Sequence, residues 1–190
     1  MKYEDELLET LDNIVGHLEH KYVKDLENPY APSYAFSQAI DFSKSDDFHK
    51  RILGLIVFHQ ISIELIKRLL HYCNFLEKIC LYPNKIDFKT FKKNSSYSQF
   101  LEEFKFKVDF SGKKKLIQKI IELNKLRTKY AHQIVLDDSL YYPEETYHFP
   151  KMFKEIFDLF TKGLIDLNKR IDQAKKRPEI LKLIQARSKA

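Results

Sequence analysis

An arginine and a histidine five positions apart, Arg127 and His132, are the pair in this chain best suited to work on a phosphodiester. They stand in the run Leu123-Asn124-Lys125-Leu126-Arg127-Thr128-Lys129-Tyr130-Ala131-His132. Arginine offers a permanent, forked positive charge that matches phosphate oxygens. Histidine gives or takes a proton near neutral pH. Cleavage of RNA by its own 2′-hydroxyl needs a base at that oxygen, an acid at the leaving oxygen and positive charge on the phosphate between them. His132 can be the base or the acid, a role worth about 10²–10⁴-fold, and Arg127 can stabilise the charge that develops on phosphorus. Lys129 reads as a phosphate contact, Asn124 as a group orienting the pair, and Thr128 as a polar neighbour in the binding segment. Each also has a structural reading. The arginine can pair with an acid, the histidine can cap the last carbonyls of its helix, and the lysine can simply be solvated.

Little else in the chain has the pattern of a site. His59 lies in the most apolar run, with Glu64 five residues on, and reads as a buried, hydrogen-bonded core histidine. His49 and His71 read as ordinary. His17 and His20 are three apart but lack further ligands nearby, so no metal site is expected. No glycine-rich phosphate loop, Cys/His cluster or Ser/His/Asp arrangement occurs, and no cofactor is expected. Tyr141, Tyr142 and Tyr147 could stack on bases or pin a loop to the core.

The elements that must position the pair are helices. Only 4 Gly and 6 Pro occur among 190 residues, which disfavours the many tight turns of a sandwich or barrel. Apolar residues recur at helical spacing over about 3–26, 47–81, 112–132 and 150–175. Short helices fit 88–93, 97–106 and 178–187, and one or two turns fit 34–43. Ser45-Asp46-Asp47 reads as a helix start, Ser111 as a cap, Pro178 as the first turn of a terminal helix, and 137–145 as a loop. In the third long helix Leu116, Ile117, Ile120, Ile121 and Leu123 should face inward. The expected architecture is all-α: a helical bundle of four main helices with short satellite helices, in a single domain over 1–190. On a helix, residues five apart lie about 140° apart around the axis. Arg127 and His132 therefore converge poorly unless the helix ends between them, or a two-fold partner brings a second copy to the same groove.

Cys73 and Cys80 are seven apart in one expected helix, cannot bridge each other, and read as reduced core thiols of a cytoplasmic protein. No signal peptide is visible, and the apolar stretch 52–63 is too short to span a bilayer. The net charge of +6 is unevenly spread. Residues 1–30 hold three Lys against eight acids, 85–129 hold thirteen Lys and Arg against five, and 162–190 hold nine against three. A basic middle around the Arg/His pair suits a polyanion such as RNA. A solvated, lysine-rich surface would look the same.

A long apolar helix, a basic middle and then a helix ending in Leu126-Arg127-Thr128-Lys129-Tyr130-Ala131-His132 resemble the HEPN superfamily, small helical bundles of which many carry an Arg-x(4–6)-His motif. The resemblance spans about 45–175, the HEPN-like core, with its specific part near ten residues. It implies a metal-independent endoribonuclease of toxin–antitoxin or phage-defence type, with Arg127 and His132 catalytic and shared across a homodimer. An antitoxin or nucleotidyltransferase-like partner belongs to the same expectation. The family usually has Asn, Asp or His after the arginine, where this chain has Thr128. The chain is also similar to the mannitol operon repressor family, all-helical proteins with an Arg-Asn-x-x-Ala-His segment. That similarity implies a non-catalytic transcriptional regulator or partner-binding module. A third reading is a nucleotide-binding scaffold that works only with a separate partner.

Overall fold

In the computed structural model, residues 2–19, 32–86, 96–136 and 144–187 are described. They form seven α-helices and one 3-10 turn, with no strand among the described residues. The helices are α1 (Lys2–Glu19), α2 (Pro32–Ser43), α3 (Phe48–Leu81), α4 (Tyr97–Lys107), α5 (Lys113–Leu136), α6 (Phe149–Lys175) and α7 (Pro178–Arg187). The 3-10 turn, Glu144–His148, leads directly into α6. The fold is all-α, and the four long helices expected from periodicity are α1, α3, α5 and α6.

Helix α3 is the axis of the molecule. Its 34 residues make a rod of about 50 Å. It packs against α1, α2, α4, α5, α6 and the 3-10 turn. A helix so surrounded must be apolar on most sides, and Ile52, Leu55, Phe58, Ile66, Leu69, Leu70 and Ile79 are all fully buried. The Asp47 carboxylate caps its start, accepting from the His49 N–H at 2.8 Å and the Lys50 N–H at 3.3 Å. Helix α2 crosses α3 at Gly54. A Cβ there would stand 2.8 Å from the Ala39 carbonyl oxygen and 3.0 Å from the Ser43 nitrogen, so only glycine admits this approach. Helix α6 seals the other side through stacked rings, Phe58 on Phe153 at 4.3 Å and Phe36 on Phe157 at 4.2 Å. One continuous buried cluster runs from Leu7 to Ile180.

Arginines from inside and outside the helix tie down both of its ends. Arg51 is fully buried; its Nε donates to Thr146 Oγ1 at 2.9 Å, and Nη1 donates to the carbonyls of Ser45 and Asp46. The exposed Tyr147 ring lies 4.2 Å over the guanidinium, so this tyrosine pins its turn to the core. At the far end Arg177 donates to the carbonyls of Ile79, Cys80 and Tyr82, satisfying oxygens that the last turn leaves without helical partners.

Several sequence expectations need correction. Residues 32–43 form one continuous 12-residue helix rather than isolated turns, because its inner face has α3 to pack on. Helix α5 does not stop at His132 but continues to Leu136. Gly112, not Ser111, precedes its first residue; with φ at +109° it turns the chain, and its carbonyl accepts the Leu116 N–H. Ile121 is 36% exposed, while Leu116, Ile120 and Leu123 are fully buried; the buried strip is narrower than five apolar residues suggest. Residues 144–145 lie in the 3-10 turn rather than a loop. Cys80 is exposed rather than a core thiol; Cys73 is half-buried, and both are free. The expected helix over 88–93, residues 20–26 of the first helix, His20, and the loop over 137–143 with Tyr141 and Tyr142 lie outside the described residues.

Candidate functional site

Helix α5 carries every residue of the motif. It forms because Lys113 to Leu136 is rich in Lys and Leu, good helix formers, and holds no Pro or Gly. Leu116, Ile120, Leu123 and Tyr130 anchor it to the core. The helix passes unbroken through 127 and 132, so the backbone register keeps those two positions about 140° apart. The sequence left room for the helix to end between them, and it does not.

Arg127 is exposed, and among the described residues it has neither hydrogen bond nor ion pair. One turn earlier, Asn124 is half-buried and reaches inward, its Oδ1 lying 3.0 Å from His59 Nε2 on α3. His59 is 8% exposed and its ring packs at 4.8 Å against Tyr97, the first residue of α4. The Tyr97 hydroxyl donates to the Ile120 carbonyl at 3.3 Å. Three helices thus meet at one polar point beneath Arg127.

The electrostatics of this point follow from burial. Desolvation pulls the His59 imidazole below its usual 6.5; the bond to Asn124 opposes the shift, and the nearby Arg127 charge adds to it. His59 is therefore a neutral imidazole at pH 7. Burial pushes the Tyr97 phenol up to about 12, with a hydrogen bond involving Ser62 working the other way.

Thr128, Lys129 and Tyr130 are engaged within the fold, whereas the His132 side chain lies outside the described residues. The Thr128 hydroxyl donates back along its helix to the Asn124 carbonyl at 2.9 Å. Lys129 Nζ forms an ion pair with Glu145 of the 3-10 turn. Tyr130 is fully buried and donates its hydroxyl to the same carboxylate. The two donors, Lys129 first, hold the Glu145 carboxyl below its usual range. Burial, then the bond to Glu145, raises the Tyr130 phenol well above 10.

The structure therefore brings Asn124 and Arg127 together on one strip of α5, with Thr128 and Lys129 beside them and His132 further along the same helix. The sequence reading placed His59 correctly as a buried, hydrogen-bonded histidine but missed that its partner is Asn124, 65 residues away. Glu145 was missed altogether as a partner of the motif. No short-range signal marks either contact. Among the described residues, no group of three or more His, Cys, Asp or Glu converges as a metal site would require. No described helix is long and apolar enough to cross a membrane. A cavity of about 780 Å³ opens away from the motif, between the C-terminal parts of α3, α4 and α6, with Cys73, Phe106 and Arg170 in its wall.

Comparison with family models, with curated proteins and with solved structures gives no match to this chain.

Proposed function

We propose that the protein is a metal-independent endoribonuclease of HEPN type, acting in the cytoplasm as a toxin or phage-defence enzyme, with a site composed from two copies of α5. The observation that carries this reading is Arg127: an exposed guanidinium on an unbroken helix, without an acidic partner among the described residues, beside an asparagine held in place from the core. In a homodimer with the α5 helices near the two-fold axis, Arg127 of one copy and His132 of the other meet across the groove. An imidazole then takes the proton of the 2′-hydroxyl, and that oxygen attacks the adjacent phosphorus. The bond from phosphorus to the 5′-oxygen breaks, and a second imidazole, protonated, delivers a proton to the leaving oxygen. Arg127 neutralises the charge on the phosphoryl oxygens. The products are a 2′,3′-cyclic phosphate and a 5′-hydroxyl. Two imidazoles and two guanidiniums suffice for these proton transfers and for the charge.

The test incubates wild type, Arg127→Ala and His132→Ala with a mixed RNA pool in EDTA. Wild type should cut RNA but not DNA and leave cyclic phosphate ends, and each variant should lose cleavage at unchanged helical content. Cleavage that persists in His132→Ala would sink this site.

One observation favours a non-catalytic HEPN-like or mannitol-repressor-like module. Thr128, Lys129 and Tyr130 commit their polar groups to partners within the chain, as a structural motif would. Wild-type inactivity across varied RNAs, with a partner protein recovered instead, would support it. Neighbouring genes separate the classes: a nucleotidyltransferase-like gene beside this one fits the nuclease, and sugar-transport genes fit the regulator.

A further inference from the structure

Asn124 precedes Arg127 by three residues, so their side chains neighbour each other on one strip of helix surface. An asparagine amide has two chemically opposite ends, an oxygen that only accepts and an NH₂ that only donates. A phosphodiester offers acceptors alone. Whichever end of Asn124 faces outward therefore decides whether the residue attracts or repels the phosphate that Arg127 would bind.

His59 makes that choice. Its Nε2 lies 3.0 Å from Asn124 Oδ1, and an amide oxygen has no proton to give, so Nε2 carries the hydrogen and donates. The amide oxygen thereby faces His59 and the Nδ2 end is turned away from the imidazole; Nδ2 has no hydrogen-bond acceptor among the described residues. The His59 ring is held in place: the residue is 8% exposed and the ring packs on Tyr97. A carboxylate at position 124 would put negative charge beside Arg127, and a leucine would remove the donor. Asparagine under a histidine supplies a neutral donor of fixed direction.

We propose that His59 is a positioning residue: by donating from Nε2 to Asn124 Oδ1, it sets the Asn124 amide so that its NH₂ joins the Arg127 guanidinium as one donor surface for an RNA phosphate. This rests on the reading of α5 as an RNA-binding face and assigns that face a second phosphate donor and a buried support on α3.

The experiment uses a fluorescein-labelled RNA oligonucleotide with every 2′-hydroxyl methylated, so that it binds without being cut. Its affinity is read by anisotropy for wild type, His59→Ala, His59→Gln, Asn124→Ala and the double variant His59→Ala/Asn124→Ala. Loss of one hydrogen bond to a charged phosphate weakens binding about tenfold. His59→Ala and Asn124→Ala should each show that loss, and the double variant should be no weaker than either, because both remove the same donor. His59→Gln can donate from a similar place and should retain wild-type affinity, which a merely space-filling role for the ring does not predict. Nitrogen-15 NMR of wild type should show His59 as the Nε2–H tautomer. An Nδ1–H tautomer, wild-type affinity in a folded His59→Ala, or additive losses in the double variant would each overturn the assignment. Wild type that binds this oligonucleotide yet never cuts unmodified RNA would sink the nuclease and leave the positioning role to be judged by the variants. Wild type that does not bind it overturns both.

Discussion

Glu145 holds Lys129 and Tyr130 with a single carboxylate. Removing its charge should release the lysine while leaving an acceptor for the phenol. Glu145→Gln is therefore expected to tighten RNA binding and steepen the dependence of log affinity on log salt by about 0.7, the increment for one more phosphate contact on a single strand. An unchanged salt slope in a filter-binding titration would show that Lys129 is solvated. Titration of Glu145, His59 and Tyr97 should shape the pH dependence of stability. Glu145 is shifted below 4.5 and His59 below 6.5, so the folded state favours the carboxylate and the neutral imidazole. Their contributions are complete above those unfolded values and fade as pH falls through the lowered folded ones. Tyr97 shifts in the other direction. Its stabilising effect is complete below pH 10 and is lost between there and about 12. Urea midpoints measured against pH should show both limbs, with His59→Gln flattening the acid one and Tyr97→Phe the alkaline one. At this scale the sequence shows residue types and spacings, such as Arg127 and His132, but not contacts: His59–Asn124 and Lys129–Glu145 depend on how α3, α5 and the 3-10 turn are juxtaposed, which no local pattern encodes.

Among the helices, Gly54 marks the tightest crossing. Gly54→Ala would drive a methyl into the Ala39 carbonyl of α2, and backbone cannot rotate out of the way as a side chain can. Although alanine favours helix, the clash should prevail and lower stability by about 1–3 kcal/mol in urea unfolding. A stabilised variant would show that α2 can slide along α3. Asp47→Ala should remove the α3 cap and lower the urea midpoint of unfolding. The extents of α3, α6 and α7 were readable because apolar stripes and Pro178 mark them directly. Ile121 was misread because an apolar residue at the edge of a stripe is compatible with either side of the boundary. Nothing in Gln133-Ile134-Val135-Leu136 breaks a helix, so the run continues past His132 to Leu136, and the motif itself is no stop signal.

Over the whole molecule, the reading of α5 as a shared face makes assembly a requirement. Light scattering at micromolar concentration should give twice the 22.8 kDa chain mass, and a monomer would count directly against a composite site. The fold class itself followed from composition, since so few glycines and prolines leave helices as the economical way to bury 44% apolar residues. The two ends of α3 carry a further implication, one of time. Arg51 at its start waits for Thr146, 95 residues downstream, and Cys80 at its finish waits for Arg177, 97 residues downstream. On a ribosome adding roughly 5–20 residues per second, the central helix is made on the order of 5–20 s before the residues that close it. Throughout that interval its apolar flanks lack α6. The nascent chain must therefore carry an unfinished, exposed axis through about half of its synthesis, and a chain halted before residue 146 should be captured by chaperones that a chain released after residue 177 escapes.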